Sequence, residues 1–393
     1  MTIVDPEITL ELGDIQNGAL HPRPSPYVAR YIFLRIDEPQ AGRELLRRLL
    51  PKLASATDPA HRDKQAWVSA GVTFQGLKAL GVPHDSLDSF PPAFQEGMAA
   101  RAERLGDIDE DAPEHWEQPL GSSDVHVALA AISPDPERLE AVAERARAAY
   151  RELPGIEVVW RQDAYALPGE RTSFGFKDGI SHPAIEGSGI PGTNPHEEPL
   201  KAGEFILGYP NESGELPPLP QPEVLGRNGT YVVIRKLHTR VTAYRQYIHD
   251  KSANRAEAEL LAAKFVGRWP SGAPLALAPE QDDPELGADP RRNNAFLYRA
   301  DDAKGIKCPV GAHARRMNPR DATVVGLPRL HRMIRRSTSY GPMLPDGVMD
   351  DDGVERPIRG RLTTCPTFVV NRGGEYCFIP SLSALRWLSE LDT

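Results

Sequence analysis

Between residues 27 and 162 four strand-like runs alternate with helical ones, and this alternation restricts the fold more than any other feature. Residues 27–36 are aromatic and β-branched, residues 67–74 and 125–132 are apolar and strand-like, and residues 156–162 close the series. Residues 40–53 place leucines at 45, 46, 49, 50 and 53 among arginines, which predicts an amphipathic helix. Residues 75–80, 92–105 and 136–150 read as further helices, the second stopped by Gly106. Strand lengths compatible with antiparallel pairing predict an α+β layer over this half. From Ala166 onward the pattern is looser. Strand-like pieces at 172–180 and 204–209 precede the strongest strand of the chain, residues 229–241. A helix over 242–266, a polar loop at 270–294, a basic stretch at 328–341 and a final strand–helix unit at 368–391 complete it. The halves 1–165 and 166–393 therefore read as two domains of one class. Long irregular connections are expected between their elements, because 38 prolines and 33 glycines interrupt regular structure.

Composition excludes several roles. Forty-six lysines and arginines against 55 aspartates and glutamates leave a formal charge of −9, which opposes nucleic acid or an anionic membrane as the main partner. No run of about 18 apolar residues is present, so no spanning helix is expected. The first twenty residues lack a basic start followed by an apolar stretch, which points to a cytoplasmic protein. Cys308, Cys365 and Cys377 form no Cys-x-x-Cys pair, and so sparse a set fits a reducing compartment.

Three stretches carry chemistry. In residues 305–320 a single histidine, His313, follows Pro309-Val310-Gly311-Ala312 and precedes Arg315, Arg316 and Arg320. One imidazole on a short stiff segment suits an axial metal ligand, and nearby guanidiniums suit a ligand bearing carboxylates. Haem has both properties; the plainer alternative is a surface histidine in a basic turn. In Phe174-Gly175-Phe176-Lys177-Asp178-Gly179 a glycine permits a turn that aims Asp178 into a pocket walled by Phe174 and Phe176. Such a carboxylate is placed to move protons, whereas in a solvated Asp-Gly turn it would not be. Residues 332–341 gather Arg332, Arg335 and Arg336, able to stabilise an anion that develops during bond cleavage or, equally, to form a solvated basic edge.

Taken together, these stretches resemble the dye-decolorizing peroxidases. Residues 174–179 resemble their Gly-x-x-Asp-Gly motif, residues 308–320 their proximal-histidine segment, and residues 334–341 the segment with their distal arginine. Further similarity at Asp14-Ile15-Gln16 and over 94–107, 264–269 and 373–382 extends the match over most of the chain, in the manner of the larger bacterial members. The resemblance implies an α+β fold of two ferredoxin-like domains with antiparallel sheets, and haem b held mainly by the second. It implies His313 as the axial iron ligand, Asp178 as the group that takes a proton from hydrogen peroxide and returns it to the leaving oxygen, and Arg335, ahead of Arg336, as the stabiliser of the departing charge and of the ferryl oxidant. Phe176 and Gly179 would line the cofactor, and Arg315 and Arg320 would meet its propionates. The reductants implied are dyes, phenols and other aromatics, with electron transfer through surface aromatics such as Trp269, Trp387 or Tyr340. A homo-oligomer is left open.

One departure stands out. The larger family members continue after the distal arginine with an apolar strand and an acid partner for the proximal histidine, whereas here Tyr340-Gly341-Pro342 leads to an acidic run at Asp350, Asp351, Asp352 and Glu355, and the stretch near 353–366 looks shortened. This raises an alternative, a haem-binding or haem-handling protein with weak peroxidase activity. A third reading is a soluble oxygen- or metal-independent enzyme using Asp178 and the arginines on an anionic substrate.

Overall fold

The computed structural model describes residues 9–57, 66–322, 328–343 and 367–391. Six strands form one sheet: β1 (Val28–Ile36), β2 (Trp67–Val72), β3 (Val127–Ser133), β4 (Ile156–Tyr165), β5 (Thr230–Thr239) and β6 (Val369–Ile379), in the order β4-β1-β3-β2-β6-β5. Every neighbouring pair is antiparallel. Four strands come from before residue 166 and two from after it, and Val72 opposite Phe378 joins the two sets. The α+β expectation therefore holds, with one continuous antiparallel sheet.

Period-2 alternation sorts the strand residues onto two faces. Ile32, Leu34, Ile36, Ala70, Val72, Val127, Leu129 and Phe378 pack beneath Leu45, Leu46 and Leu49 of the helix Pro39–Leu49 and Leu385 and Leu388 of the helix Leu382–Ser389. The opposite face buries Phe33, Ala128 and Cys377, with Trp160 and Ile234 packed against them. Trp160 lies on β4 and Lys236 on β5, the two outer strands, yet Lys236 Nζ sits 5.2 Å from the Trp160 ring centre. Both also bind Glu117, Lys236 Nζ at 2.6 Å and Trp160 Nε1 at 2.7 Å. The sheet is thus curled until its edges approach each other. Bulges in β4 opposite Phe33 and Leu34, and in β6 opposite Arg235 to Leu237, supply part of the bend.

Local chemistry explains where elements begin and break. Asp135 caps the helix Pro136–Arg147 by accepting from Arg138 N, and Ser381 caps Leu382–Ser389 by accepting from Ala384 N. The single helix expected over 92–105 is broken, because Gly97 adopts φ 79° after Pro92–Glu96 and helical structure resumes only at Ala99–Arg101 and Ala102–Leu105. The helix expected over 242–266 is two, Val241–Asp250 and Arg255–Val266, the second capped by Asn254. Neither 172–180 nor 204–209 is a strand. The first folds back on itself, with Thr172 N donating to Phe176 O at 2.7 Å, and the second coils after the short turn Ala202–Glu204. The shortened stretch near 353–366, the acids at 350–355 and Cys365 lie outside the described residues. No described helix is long and apolar enough to cross a membrane.

Phe378 is wholly buried and meets the rings of Phe90 and Tyr231 at 5.4 and 5.5 Å. Phe378→Ala should cost about 3–5 kcal/mol in urea unfolding, while Leu105→Ala at an exposed position should cost less than about 0.5 kcal/mol.

Candidate active site

Three irregular segments converge beside the sheet: the lead-in before β1, the loop 166–180, and the extended run 331–341. The last runs along the strands it crosses, with Ser339 N donating to Tyr27 Oη at 2.6 Å, Tyr165 N donating to Ser339 O at 2.8 Å and Tyr340 Oη donating to Leu237 O at 2.9 Å. Because this run is extended, successive side chains point to opposite sides. Met333, Arg335 and Ser337 are exposed on one side, while Ile334 and Arg336 turn toward the protein.

This alternation separates the two adjacent arginines. Arg336 donates to the carbonyls of Gly18 and Ala19, and burial pulls its pKa down to about 10. Arg335 instead faces the groove, with Nη1 donating to Met317 O at 2.9 Å at the end of the short helix His313–Met317. Desolvation first, and Arg332 second, lower its pKa.

Asp178 lies beside the same run, bonded to Ser337 two residues beyond Arg335. Gly179 adopts φ 71°, which lets the chain turn away directly after the carboxylate. The carboxylate does not sit in an aromatic pocket. Its Oδ2 accepts from Arg23 Nη2 at 2.9 Å and from Ser337 Oγ at 2.7 Å. Phe176 is buried against Tyr244 and Ile248, and Phe174 stacks on Tyr244 at 4.8 Å, so these rings serve an aromatic cluster that includes Phe265 and Phe368. Arg23 and Ser337 are site residues that sequence reading missed. Ser337 could have been found from the strand period, two residues beyond Arg335; Arg23, 155 positions from Asp178, carries no such signal.

His313 opens its helix next to Ala312, and solvent reaches the residue. Desolvation by the surrounding recess, then the charge of Arg335, lower its pKa, and Asp178 opposes them. Arg335 and Asp178 are therefore both close enough to His313 for their charges to act on its ring. The net effect favours the neutral ring, the form that ligates a metal. Among the described residues no three His, Cys, Asp or Glu side chains are grouped to hold a bare metal ion. A lone neutral imidazole instead suits a metal that arrives with its own equatorial donors, as in haem, and the exposed Met333 beside Arg335 offers apolar surface to a macrocycle.

Arg315 and Arg320, expected at the propionates, are held by internal partners in this structure, although Arg315 Nε and Nη2 are buried without a hydrogen-bond partner. Arg315 has a side chain only 1% exposed; it pairs with Asp302 at 3.1 Å, donates to Cys308 O at 2.9 Å and lies 4.4 Å over the Tyr298 ring. Asp302 is held in turn by the backbone amides of Ile306, Lys307 and Cys308. Arg320 donates to Asn294 O, Phe296 O and Asn294 Oδ1 at 2.8–3.0 Å and stacks 3.8 Å over Phe296. Both guanidiniums brace the loops that carry His313. Trp269 is buried with Nε1 donating to Ala278 O at 2.7 Å, Trp387 packs on the helical core, and Tyr340 lies under Lys236 at 4.9 Å.

Two measurements check these placements. Arg315→Met leaves Asp302 buried without its cation and should cost about 3–5 kcal/mol in chemical unfolding. His182, four residues after Asp178, has its pKa lowered to about 4 by desolvation, then by Arg336 and His21. As pH falls from about 6.5 to 4 the unfolded imidazole takes a proton that the folded one refuses, so stability declines over that window. His182→Asn should reduce this decline by about 1–3 kcal/mol, read from urea curves at pH 7 and 4.5.

Comparison with known proteins follows the same lines. No family profile matches the chain. A dye-decolorizing peroxidase of Mycena epipterygia is 31% identical over 360 residues, covering 86% of this chain and 65% of its own length. The multifunctional dye peroxidase of Amycolatopsis sp. is 27% identical over 333 residues, covering 81% of this chain and 67% of its own. The chain thus spans about two thirds of the length of these relatives, and its resemblance runs to fungal members rather than to the larger bacterial ones alone. A solved dye-decolorizing peroxidase in complex with 2,6-dimethoxyphenol superposes with a TM-score of 0.80 at 26% identity, covering 97% of this chain and all of that one. In sequence over most of its length, and in the fold that carries Asp178, Arg335 and His313, the chain belongs to the dye-decolorizing peroxidase family.

Proposed function

We propose that the protein is a haem peroxidase that uses hydrogen peroxide to oxidise phenolic or dye-like aromatic reductants. The observation that carries this reading is the meeting of one carboxylate, one exposed guanidinium and one neutral imidazole from three separate segments. Haem b, held through His313, would supply the iron and the redox capacity that no side chain here has. The chain supplies the rest. Asp178 Oδ2 is occupied by Arg23 and Ser337, so Oδ1 is the oxygen that accepts a proton from peroxide and returns it to the departing oxygen. The Arg335 guanidinium, still cationic when desolvated, offsets negative charge on that departing oxygen. Phenols are the proposed reductants because a family structure carries 2,6-dimethoxyphenol. The free buried thiols Cys308 and Cys377 suit the reducing cytoplasm proposed as its location. The same reading takes 1–165 and 166–393 as two ferredoxin-like halves.

One observation favours a second reading. Among the described residues the His313 ring has no carboxylate hydrogen-bond partner, and such a partner is what ordinarily orients and enriches an axial imidazole. A protein so built would bind haem and turn over peroxide weakly.

The deciding experiment is the absorption spectrum of the haem-loaded protein before and after one equivalent of hydrogen peroxide. Prompt spectral conversion supports the peroxidase, bleaching alone supports haem handling, and no Soret band rejects both. Asp178→Ala should keep haem while slowing the conversion by about 10²–10⁴-fold; an unchanged rate removes Asp178 from the chemistry. His313→Ala should abolish the histidine-ligated ferric spectrum, and an unaltered spectrum would assign the ligand elsewhere.

A further inference from the structure

Peroxide activation by Asp178 requires a carboxylate that is fixed in orientation and open on one oxygen. Arg23 meets both needs. Its Nη2 donates to Asp178 Oδ2 at 2.9 Å, and its Nε donates to Ser337 O at 2.9 Å. Ser337 returns its hydroxyl to the same Oδ2 at 2.7 Å. The guanidinium stacks 3.9 Å over the Tyr27 ring, and its side chain is 12% exposed. Tyr27 is itself buried and is held by the Ser339 amide. Arg23 therefore links the lead-in, the Asp178 loop and the run that carries Arg335. A planar fork reaches two acceptors in fixed directions; a lysine, with a point charge, could pair with the carboxylate but could not hold the same bridge.

Both donors act on Oδ2, and among the described residues Oδ1 accepts no hydrogen bond. The other charged groups around the carboxylate do not substitute for Arg23. Lys177 is paired with Glu170 at 2.9 Å, Arg332 with Glu197 at 2.7 Å, Arg335 donates to Met317 O, and desolvation disfavours the charged form of His313. We propose that Arg23 is a positioning residue for peroxide activation, holding Asp178 by Oδ2 so that Oδ1 faces the substrate. Oδ1 accepts the proton of one peroxide oxygen and gives it to the other, so Asp178 ends as it began and Arg23 stays protonated throughout.

This inference rests on the peroxidase reading, and its test separates the two. In the haem-loaded full chain, the second-order rate of the peroxide-induced spectral change is followed for the parent, Arg23→Gln and Arg23→Lys. Arg23→Gln should lower the rate about tenfold or more, because Oδ2 loses its charged donor. Arg23→Lys should leave the rate low as well, because charge is restored and the bridge to Ser337 is not. A glutamine variant with the parental rate overturns the proposal. A readout free of turnover is the infrared carboxylate stretch of Asp178 at pH 7 in haem-free protein, taken as the difference from Asp178→Asn. Its frequency reports the hydrogen bonds on Oδ2 and should move in Arg23→Gln and, should that variant not fold, in Arg23→Lys; an unmoved band overturns the proposal. If the parent itself does not react with peroxide, the peroxidase reading fails while the infrared band still decides the role of Arg23.

Discussion

The joint between β2 and β6 is the constraint on which the rest of the architecture depends. Only Val72 opposite Phe378 pairs these strands, yet through this contact the two sets of strands become one sheet. So narrow a ladder cannot hold by backbone hydrogen bonds alone. It is held by side chains: Phe378 is wholly buried among Phe90, Tyr231 and the helical leucines, and aromatic contacts of this kind add to the free energy of burial. At the far edges the sheet is drawn together by Glu117, which receives Lys236 from β5 and Trp160 from β4. Core packing at the centre and a polar clasp at the rim produce a curled sheet, beside which the functional loops lie.

Those loops are not regular structure, and their order comes from charges and carbonyls. The run 331–341 is extended but, among the described residues, pairs with no strand as a ladder; it is anchored by single hydrogen bonds to Tyr27, just before β1, and to Tyr165 of β4, and by Arg336 on the carbonyls of Gly18 and Ala19. Its alternation does chemical work. One residue of offset sends Arg336 into the protein, where desolvation weakens its hold on its proton, and leaves Arg335 in the groove with Asp178 and His313. Neighbours in sequence thus have unrelated roles, decided by which side of an extended chain each occupies.

The arginines near His313 show the same principle from the other side. Guanidinium groups stay charged when buried, so they can serve as internal braces wherever carbonyls, a carboxylate or an aromatic face receive them. Arg315 and Arg320 are used in this way, stacked on Tyr298 and Phe296 and bonded to Asp302 and Asn294. A basic run beside a candidate ligand is chemically consistent with anion binding, but desolvating such a cation is costly and its partners must be close. Here those partners are internal.

Much of the fold was legible along the chain. Strands at 27–36, 67–74, 125–132 and 229–241 and the helices at 40–53 and 136–150 follow from apolar period and caps, which are local properties. The irregular second half was less so: 172–180 and 204–209 have strand composition but find no neighbouring strand, and pairing is a property of the whole fold. Asp178, His313 and Arg335 were nameable because each sits in a motif of contiguous residues. The sequence by itself determined which side chains could do the chemistry, since a lone imidazole, a carboxylate before glycine and paired arginines are chemical facts of composition. Only the tertiary structure decided which of them share a groove, which arginines are braces, and that Arg23 holds Asp178, because charges separated by 155 positions interact through space and not along the chain.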